Sequence, residues 1–262
     1  MQDEFSMVLN VARRELYAFI SIATADSTIR EKRLADIRTN TILNSVLELI
    51  HDDVQFHTPS LGPGELDPAN LKLCVPQLET TIDREYENVF GYCASKNCLP
   101  YETEYCAQKD IHFRSQQMAD VAGFYCAFGL KPSQRVHDRL DHISLETEFM
   151  AILITRQLHA LSQELGSGAA EVCSEAQRTF FRDHLGWWLP AFGVRLMSEA
   201  TGFYKLLGQI IRTFIPAERA ILGLPPMTEM PVAKTQPYEE MTCANLMFIQ
   251  PSPVTASVTP DK

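Results

Sequence analysis

The sequence predicts an all-α fold, a single large helical domain of two lobes joined by a hinge loop. Only 12 of the 262 residues are glycine, and apolar residues recur every three or four positions rather than at alternate positions. A chain of this length is long enough to bury a substantial core. We expect an N-terminal lobe over 1–130, a hinge over 131–142, a C-terminal lobe over 143–224 and a disordered tail over 225–262.

Apolar positions at helical spacing divide the first half of the chain into segments. Helices are expected over about 3–24, 28–50 and 71–92. The intervening stretch 57–70 is rich in Pro and Gly, which is typical of a loop.

The second half of the chain contains the longer helical patterns. An irregular stretch over 93–112 precedes a helix over about 114–129, which Gly129 should end. Further helices are expected over about 138–165, over 169–186, in a short segment with Pro190 in its first turn, and over 201–221.

Adjacent arginines near the N-terminus, Arg13 and Arg14, superficially resemble a twin-arginine export signal. Acidic Asp3 and Glu4 precede the pair, Glu15 follows it, and the apolar residues around it fall on one helical stripe. This pattern is typical of a folded amphipathic helix. No apolar run reaches the roughly 18 residues that a membrane span requires. We therefore expect a cytoplasmic protein.

Charge and cysteine content restrict the class of partner and the redox environment. The net charge of −10 argues against nucleic acid as the main partner, because phosphate recognition requires clustered Lys and Arg. An acidic surface suits a basic partner such as an arginine-bearing peptide, although the charge also serves solubility. The seven cysteines are an odd number at spacings that do not match zinc sites, which indicates reduced thiols.

The densest group of candidate functional side chains lies at the start of the central helix. Asp141 and His142 stand next to each other, and Glu146 and Glu148 follow in the next turns. One interpretation is structural: Asp141 caps the helix, and His142 hydrogen-bonds Glu146 one turn away. The other is an acidic recess that accepts arginine guanidinium groups from a peptide.

Catalytic interpretations receive less support from the residues. His51-Asp52 and His137-Asp138 are similar to the adjacent ligands of helical metal-dependent phosphohydrolases, and that enzyme class is the alternative function. The sequence contains no Gly-x-Ser-x-Gly elbow, phosphate-binding loop or dinucleotide fingerprint. We expect a protein that is not an enzyme and holds no metal.

Four groups of residues stand in a characteristic order over about 10–220. They are Leu16-Tyr17; Glu85-Tyr86, Phe90, Pro100-Tyr101-Glu102 and Tyr105; Asp120 to Tyr125 with the stretch Asp141 to Phe149; and Phe181, His184-Leu185, Trp188 and Phe203-Tyr204. The ordered set resembles the TorD/DmsD family of cytosolic chaperones for molybdenum redox enzymes. Leu140 departs from the proline that this family usually has before the Asp-His pair, and Thr147 stands where the family has Leu.

The resemblance implies a chaperone that binds the N-terminal leader, often twin-arginine, of a molybdopterin-containing redox enzyme subunit while the cofactor is inserted. The expected peptide-binding residues are Asp141, His142 and Glu146, with Tyr101 and Glu102 as further candidates. No cofactor is expected. GTP binding is implied only by the family resemblance, since some relatives are reported to bind GTP. The protein is expected to be a monomer or a homodimer.

Overall fold

A computed structural model describes residues 2–26, 30, 82–91, 98–106, 111–131, 138–163 and 167–227. Within these ranges the chain forms helices and turns without a strand. The helices are α1 (Gln2–Thr24), α2 (Ile82–Phe90), α3 (Ile111–Ala127), α4 (Ile143–Ser162), α5 (Ser167–Phe180), α6 (Gly186–Glu199) and α7 (Gly202–Ile221). The prediction of an all-α fold is confirmed.

Some predicted segments lie outside the described residues. These are the helix over 28–50 apart from residue 30, the loop over 57–70, the first part of the helix over 71–92, up to residue 81, and the tail beyond residue 227. The division into two lobes stays a prediction. Helix α1 packs along α4 and also touches α7, so its contacts cross the expected hinge at 131–142.

Helices α1 and α4 form the centre of the fold. On α1 the predicted stripe is buried at Leu16, Phe19 and Ile20, each at most 1% exposed, whereas Val8 is 38% exposed. Helix α4 buries a facing stripe and also packs along α5. Its fully or nearly fully buried apolar residues are Ile143, Phe149, Met150, Leu153 and Ile154.

The central helix begins at Ile143, five residues later than expected. The reason is local: His142 has extended backbone angles, φ −76° and ψ 137°, and its amide donates to the Arg139 carbonyl in a turn. Helix α3 shows the opposite error, because it begins at Ile111 rather than near 114. Gly129 follows its end at φ 65°, as predicted.

The chain stays helical from Ser167 to Glu199, so the predicted break after 186 is wrong. A π-helical segment, Phe181–Leu185, joins α5 to α6 and widens the turn there. Gly186 allows this join, because a Cβ at that position would lie 2.6 Å from the Phe181 ring and 2.7 Å from its carbonyl. Pro190 lies inside α6 rather than at the start of a short helix.

Helices α6 and α7 form a tightly packed hairpin. Where they cross, a Cβ on Gly208 would lie 2.7 Å from the Gly193 carbonyl oxygen, and a Cβ on Gly193 would lie 3.0 Å from the Gly208 carbonyl oxygen. The two backbones therefore touch directly. Glu85 of α2 fixes the other end of α7, since its carboxylate accepts from the Phe203 amide at 2.8 Å.

The pair Arg13–Arg14 is part of the folded helix α1, as the sequence predicted. The Arg13 guanidinium is buried and donates to both carboxylate oxygens of Glu218 on α7, at 2.7 and 2.6 Å. It also donates to Asn10 and to Gln177 of α5. Among the described helices, none is long and apolar enough to cross a membrane.

Four of the seven cysteines lie in the described ranges, and all four are free, as predicted. Burial raises the pKa of the Cys98 thiol to about 12. This thiol is therefore protonated at neutral pH. Cys74, Cys93 and Cys243 lie outside the described residues.

Candidate functional site

The segment 98–106 lies against the turn that precedes α4, and this contact brings four of the five predicted site residues together. Tyr101 and His142 form an isolated antiparallel bridge. The Glu102 amide donates to the Asp141 carbonyl at 3.0 Å, and the Ile143 amide donates to the Pro100 carbonyl at 2.9 Å. Two segments about 40 residues apart therefore share one short backbone ladder.

Asp141 is fully buried, and its carboxylate is held by the neighbouring segment. The Thr103 amide and hydroxyl both donate to its Oδ2, at 3.1 and 2.8 Å. The Arg139 guanidinium adds two hydrogen bonds, from Nε to Oδ1 at 3.0 Å and from a terminal nitrogen to Oδ2 at 2.7 Å. These four hydrogen bonds hold the buried carboxylate in place.

Arg139 forms the outer face of this cluster. Its guanidinium carbon lies 4.5 Å from the centre of the Tyr101 ring, and one terminal nitrogen donates to Glu104 at 2.9 Å. Arg114 of α3 reaches the other Glu104 oxygen at 3.4 Å. We call the space bounded by Tyr101, Thr103, Glu104 and Asp141 the acidic recess. It already holds a guanidinium group, that of Arg139.

His142 caps helix α4, one residue later than the Asp141 cap that we expected. Its Nδ1 accepts from the Ser144 amide at 3.1 Å and contacts the Ser144 hydroxyl at 2.7 Å. Burial lowers the pKa of His142, and this effect outweighs the opposing charges of Asp138 and Asp141. The ring is therefore neutral at neutral pH, which suits a nitrogen that accepts a hydrogen bond.

Glu102, which is itself fully buried, is the centre of a second polar network. Its Oε1 accepts from Gln117 of α3 and from the Trp187 indole, both at 2.9 Å. The His184 ring contacts its Oε2 at 3.2 Å. The carboxylate thus joins the 3-10 turn Glu102–Glu104 to α3, to the π-helical segment and to α6.

Glu146 faces this network from the first turn of α4. Its carboxyl group accepts a hydrogen bond from the Trp188 indole at 3.2 Å. The hydrogen bond to His142 that the spacing predicts is not formed. Burial and then the charges of Glu102 and Asp141 raise the pKa of Glu146 well above its ordinary value, and a hydrogen bond to the Glu102 side chain acts in the same direction. The neutral, protonated form of Glu146 is therefore favoured in the folded protein.

Several residues of this network were not identified as site candidates from the sequence. Gln117, Trp187 and His184 give no local pattern, because they come together only through packing. His184 lies between two acids, with its Nε2 3.5 Å from Asp120 and its Nδ1 near Glu102. The family resemblance did include Asp120, His184 and Trp188, which was the available signal.

A cleft of about 300 Å³ runs between α1 and α4. Ser21, one of its lining residues on α1, donates its hydroxyl to the Ser144 carbonyl at the start of α4, at 2.8 Å. Its lining is mainly apolar, with Arg14 and Glu148 as charged residues. The other lining residues are Ala18, Ser21, Ile22, Ala151, Ile152 and Thr155.

The described part of the chain contains no group of three His, Cys, Asp or Glu side chains placed to hold a metal ion. His51, Asp52 and His137 lie outside that part. Within it, the buried polar groups are arranged to join helices and to hold charges in place. The partly exposed side chains Tyr101 and Glu104 bind a cationic side chain, that of Arg139.

The family model described as nitrate reductase delta subunit matches residues 69–193 of this chain. The chain is 29% identical to the chaperone protein TorD of Vibrio cholerae, over 82% of this chain and 94% of that protein. It is 25% identical to the TorD protein of Photobacterium profundum, over 82% and 96% of the two chains. It is also 31% identical to the perchlorate reductase assembly chaperone protein of Dechloromonas aromatica, over 54% and 64%. These comparisons give no support to the phosphohydrolase alternative.

Proposed function

Since this chain belongs to the TorD family of chaperones, we propose that it holds the catalytic subunit of a molybdopterin-containing oxidoreductase during assembly. The relatives named for perchlorate reductase and chlorate reductase assembly support a client of this kind. The chaperone acts in the cytoplasm by binding rather than by catalysis. It requires no nucleotide or metal for this activity.

We infer that the client's N-terminal leader binds at the acidic recess. The observation that carries this inference is the arrangement of Tyr101, Glu104 and Asp141, which offers an aromatic face and two carboxylates to one guanidinium group. Arginine matches such a site better than lysine, because its planar fork donates to carboxylates in pairs and stacks on rings. A leader with adjacent arginines is the ligand that fits this chemistry.

The cleft between α1 and α4 is a suitable binding place for the apolar part of the leader. Its first lining residue on α4, Glu148, is about two helical turns after Asp141, and it offers Ala18, Ile22, Ala151 and Ile152. Burial of a few apolar side chains stabilises a complex by about 25 cal/mol per Å². Together with a few charge-assisted hydrogen bonds, this suffices for micromolar binding, about −8 kcal/mol.

The predicted residues then have different roles. Tyr101 is the only one with a partly exposed side chain, and it contacts the leader directly. Asp141 supplies the charge at the base of the recess. His142, Glu102 and Glu146 are buried and position the two backbone segments, so they support the site from behind.

Calorimetric titration with a synthetic twin-arginine leader peptide tests this proposal. The full-length protein should bind the peptide with micromolar affinity, and Tyr101→Ala should weaken binding about two- to fivefold, the magnitude of an exposed cation–π contact. Val172→Ala is the control. Val172 is an exposed residue of α5, and its substitution should leave the affinity unchanged. Absence of binding to twin-arginine leaders, together with failure to co-purify an apo-oxidoreductase subunit, would refute the proposal.

A further inference from the structure

Arg139 occupies the acidic recess in a way that resembles a bound ligand. Its guanidinium group makes paired hydrogen bonds to Asp141, a further bond to Glu104 and a stacking contact with Tyr101. These are the contacts that an arginine from another chain would make there. The Arg139 side chain is nevertheless 38% exposed, unlike the Asp141 side chain beneath it, which is fully buried.

Arg139 also donates to the Thr103 hydroxyl, but the recess is held by further contacts that do not involve its guanidinium group. Thr103 holds Asp141 through its amide and its hydroxyl. Backbone hydrogen bonds from Glu102 to Asp141 and from Ile143 to Pro100 fix the two segments that form the walls. Removal of the guanidinium group therefore leaves a preformed anionic site, with its main acceptor still in place.

An incoming arginine cannot simply be added to this site. The two carboxylates of the recess, Glu104 and Asp141, are already contacted by the guanidinium groups of Arg139 and Arg114. A third guanidinium group in the same space would be repelled by the first two. Exchange with Arg139 keeps each carboxylate paired, so replacement is electrostatically favoured over addition.

Arg139 is also the arginine that can leave. By contrast, the ion pair Arg13–Glu218, which also links distant elements, is almost fully buried at 4% and 0% side-chain exposure. Release of Arg13 would therefore open the core. The Arg139 side chain borders solvent and can move outward without opening the core, and its departure uncovers the face of the Tyr101 ring.

We propose that Arg139 is a built-in competitor that fills the acidic recess in the free protein and is displaced by an arginine of the client leader. This inference rests on the proposed function. Occupation by Arg139 keeps the buried Asp141 charge compensated when no client is present. The apparent affinity for the leader is also reduced, because the leader binds only in the fraction of molecules whose recess is free of Arg139. This weaker binding favours release after assembly.

The test compares affinities for two synthetic peptides, a leader with an Arg-Arg pair followed by an apolar stretch and the same peptide with Lys-Lys. Arg139→Gln should bind the arginine peptide about three- to tenfold more tightly than the natural protein. The increase in affinity of Arg139→Gln for the lysine peptide should be smaller, because lysine lacks the planar guanidinium group that pairs with carboxylates. Arg182→Gln is the matched control, since it removes an exposed arginine paired with Asp183 and should change neither affinity.

A more conservative variant guards against misfolding of Arg139→Gln. Arg139→Lys keeps the positive charge but competes less well, so it should also bind the arginine peptide more tightly than the natural protein. Circular dichroism establishes that each variant is folded. Equal or weaker binding by folded Arg139 variants, with normal binding by the natural protein, overturns the competitor role alone. Absence of binding by the natural protein and every variant overturns the proposed function as well.

Discussion

The buried carboxyl pair Glu102–Glu146 shows how single residues set the properties of this site. Each carboxyl group has an indole donor, from Trp187 and Trp188 respectively. Burial raises the pKa of Glu146, and the charge of Glu102 acts in the same direction. Ionisation of Glu146 therefore destabilises the folded protein.

This arrangement predicts a pH-dependent stability with a definite sign. The pKa of Glu146 is raised above 4.5 in the folded protein, so its stabilising contribution is complete below about pH 4.5 and is lost as the pH rises through the raised value. Glu146→Gln keeps a neutral side chain of similar shape. The variant should therefore gain stability relative to the natural protein as the pH rises. Its free energy of unfolding minus that of the natural protein, measured by denaturant unfolding, should be larger at pH 8 than at pH 5.

Glu175→Gln provides the control for that comparison. The Glu175 side chain is 67% exposed, so its substitution should shift stability equally at both pH values. A Glu146→Gln difference that is the same at pH 5 and pH 8 would show that Glu146 is already ionised in the folded protein.

At the scale of elements, the buried Arg13–Glu218 pair joins α1 to α7, and Gln177 extends the connection to α5. Removal of one partner from a buried pair leaves an uncompensated charge in the core. We therefore expect Arg13→Gln to reduce the free energy of unfolding by about 3–5 kcal/mol. The adjacent Arg14→Gln should change it by no more than about 1 kcal/mol, since Arg14 pairs with Glu15 near the surface.

Chemical denaturation of both variants measures this difference. Similar losses for Arg13→Gln and Arg14→Gln would indicate that the Arg13 pair contributes nothing beyond a surface ion pair.

The α6–α7 hairpin gives a second prediction at this scale. Gly208→Ala should destabilise the protein by about 1–3 kcal/mol, because the added Cβ would lie 2.7 Å from a backbone oxygen of α6, which cannot move aside. Gly123→Ala, in the exposed middle of α3 with no atom within 4 Å, should instead stabilise it by about 0.5–1 kcal/mol. Thermal unfolding distinguishes the two, and a stabilising Gly208→Ala would contradict the close contact.

Helix existence was predictable from the sequence, whereas helix ends were less so. The periodic apolar pattern identified α1 and α7 to within about two residues, because burial on one face dominates both helices. The start of α4 was misplaced, since a turn and a bridge to Tyr101 consume residues that a pattern alone assigns to the helix. The join at Phe181–Leu185 was missed because π-helical widening has no periodic signature.

The candidate site was predicted in part, for a related reason. Asp141 and His142 were identified because they are adjacent and because the family resemblance includes them. Arg139 was missed, although it stands two residues before Asp141, since nothing local shows that its guanidinium group turns back onto Tyr101 and Glu104. Contacts between segments far apart in sequence arise only from the packed fold.

At the scale of the whole molecule, one continuous arrangement connects the core to the proposed binding surface. The buried network around Glu102 joins α3, α4 and α6 to the segment that carries Tyr101. The same segment forms the base and wall of the acidic recess through Thr103 and Glu104. The packed core thus presents a site in which an arginine of the client leader replaces Arg139. No covalent bond of the client is made or broken.

Amide hydrogen exchange, with and without a saturating twin-arginine leader peptide, tests the central claim most directly. The account predicts slower exchange on binding over 100–105 and 139–146, where the amides of Glu102, Thr103 and Ile143 connect the two segments of the recess. It also predicts little change in α5, which lies away from the recess. Protection that is absent from both recess segments, or that is confined to α5, would contradict the account.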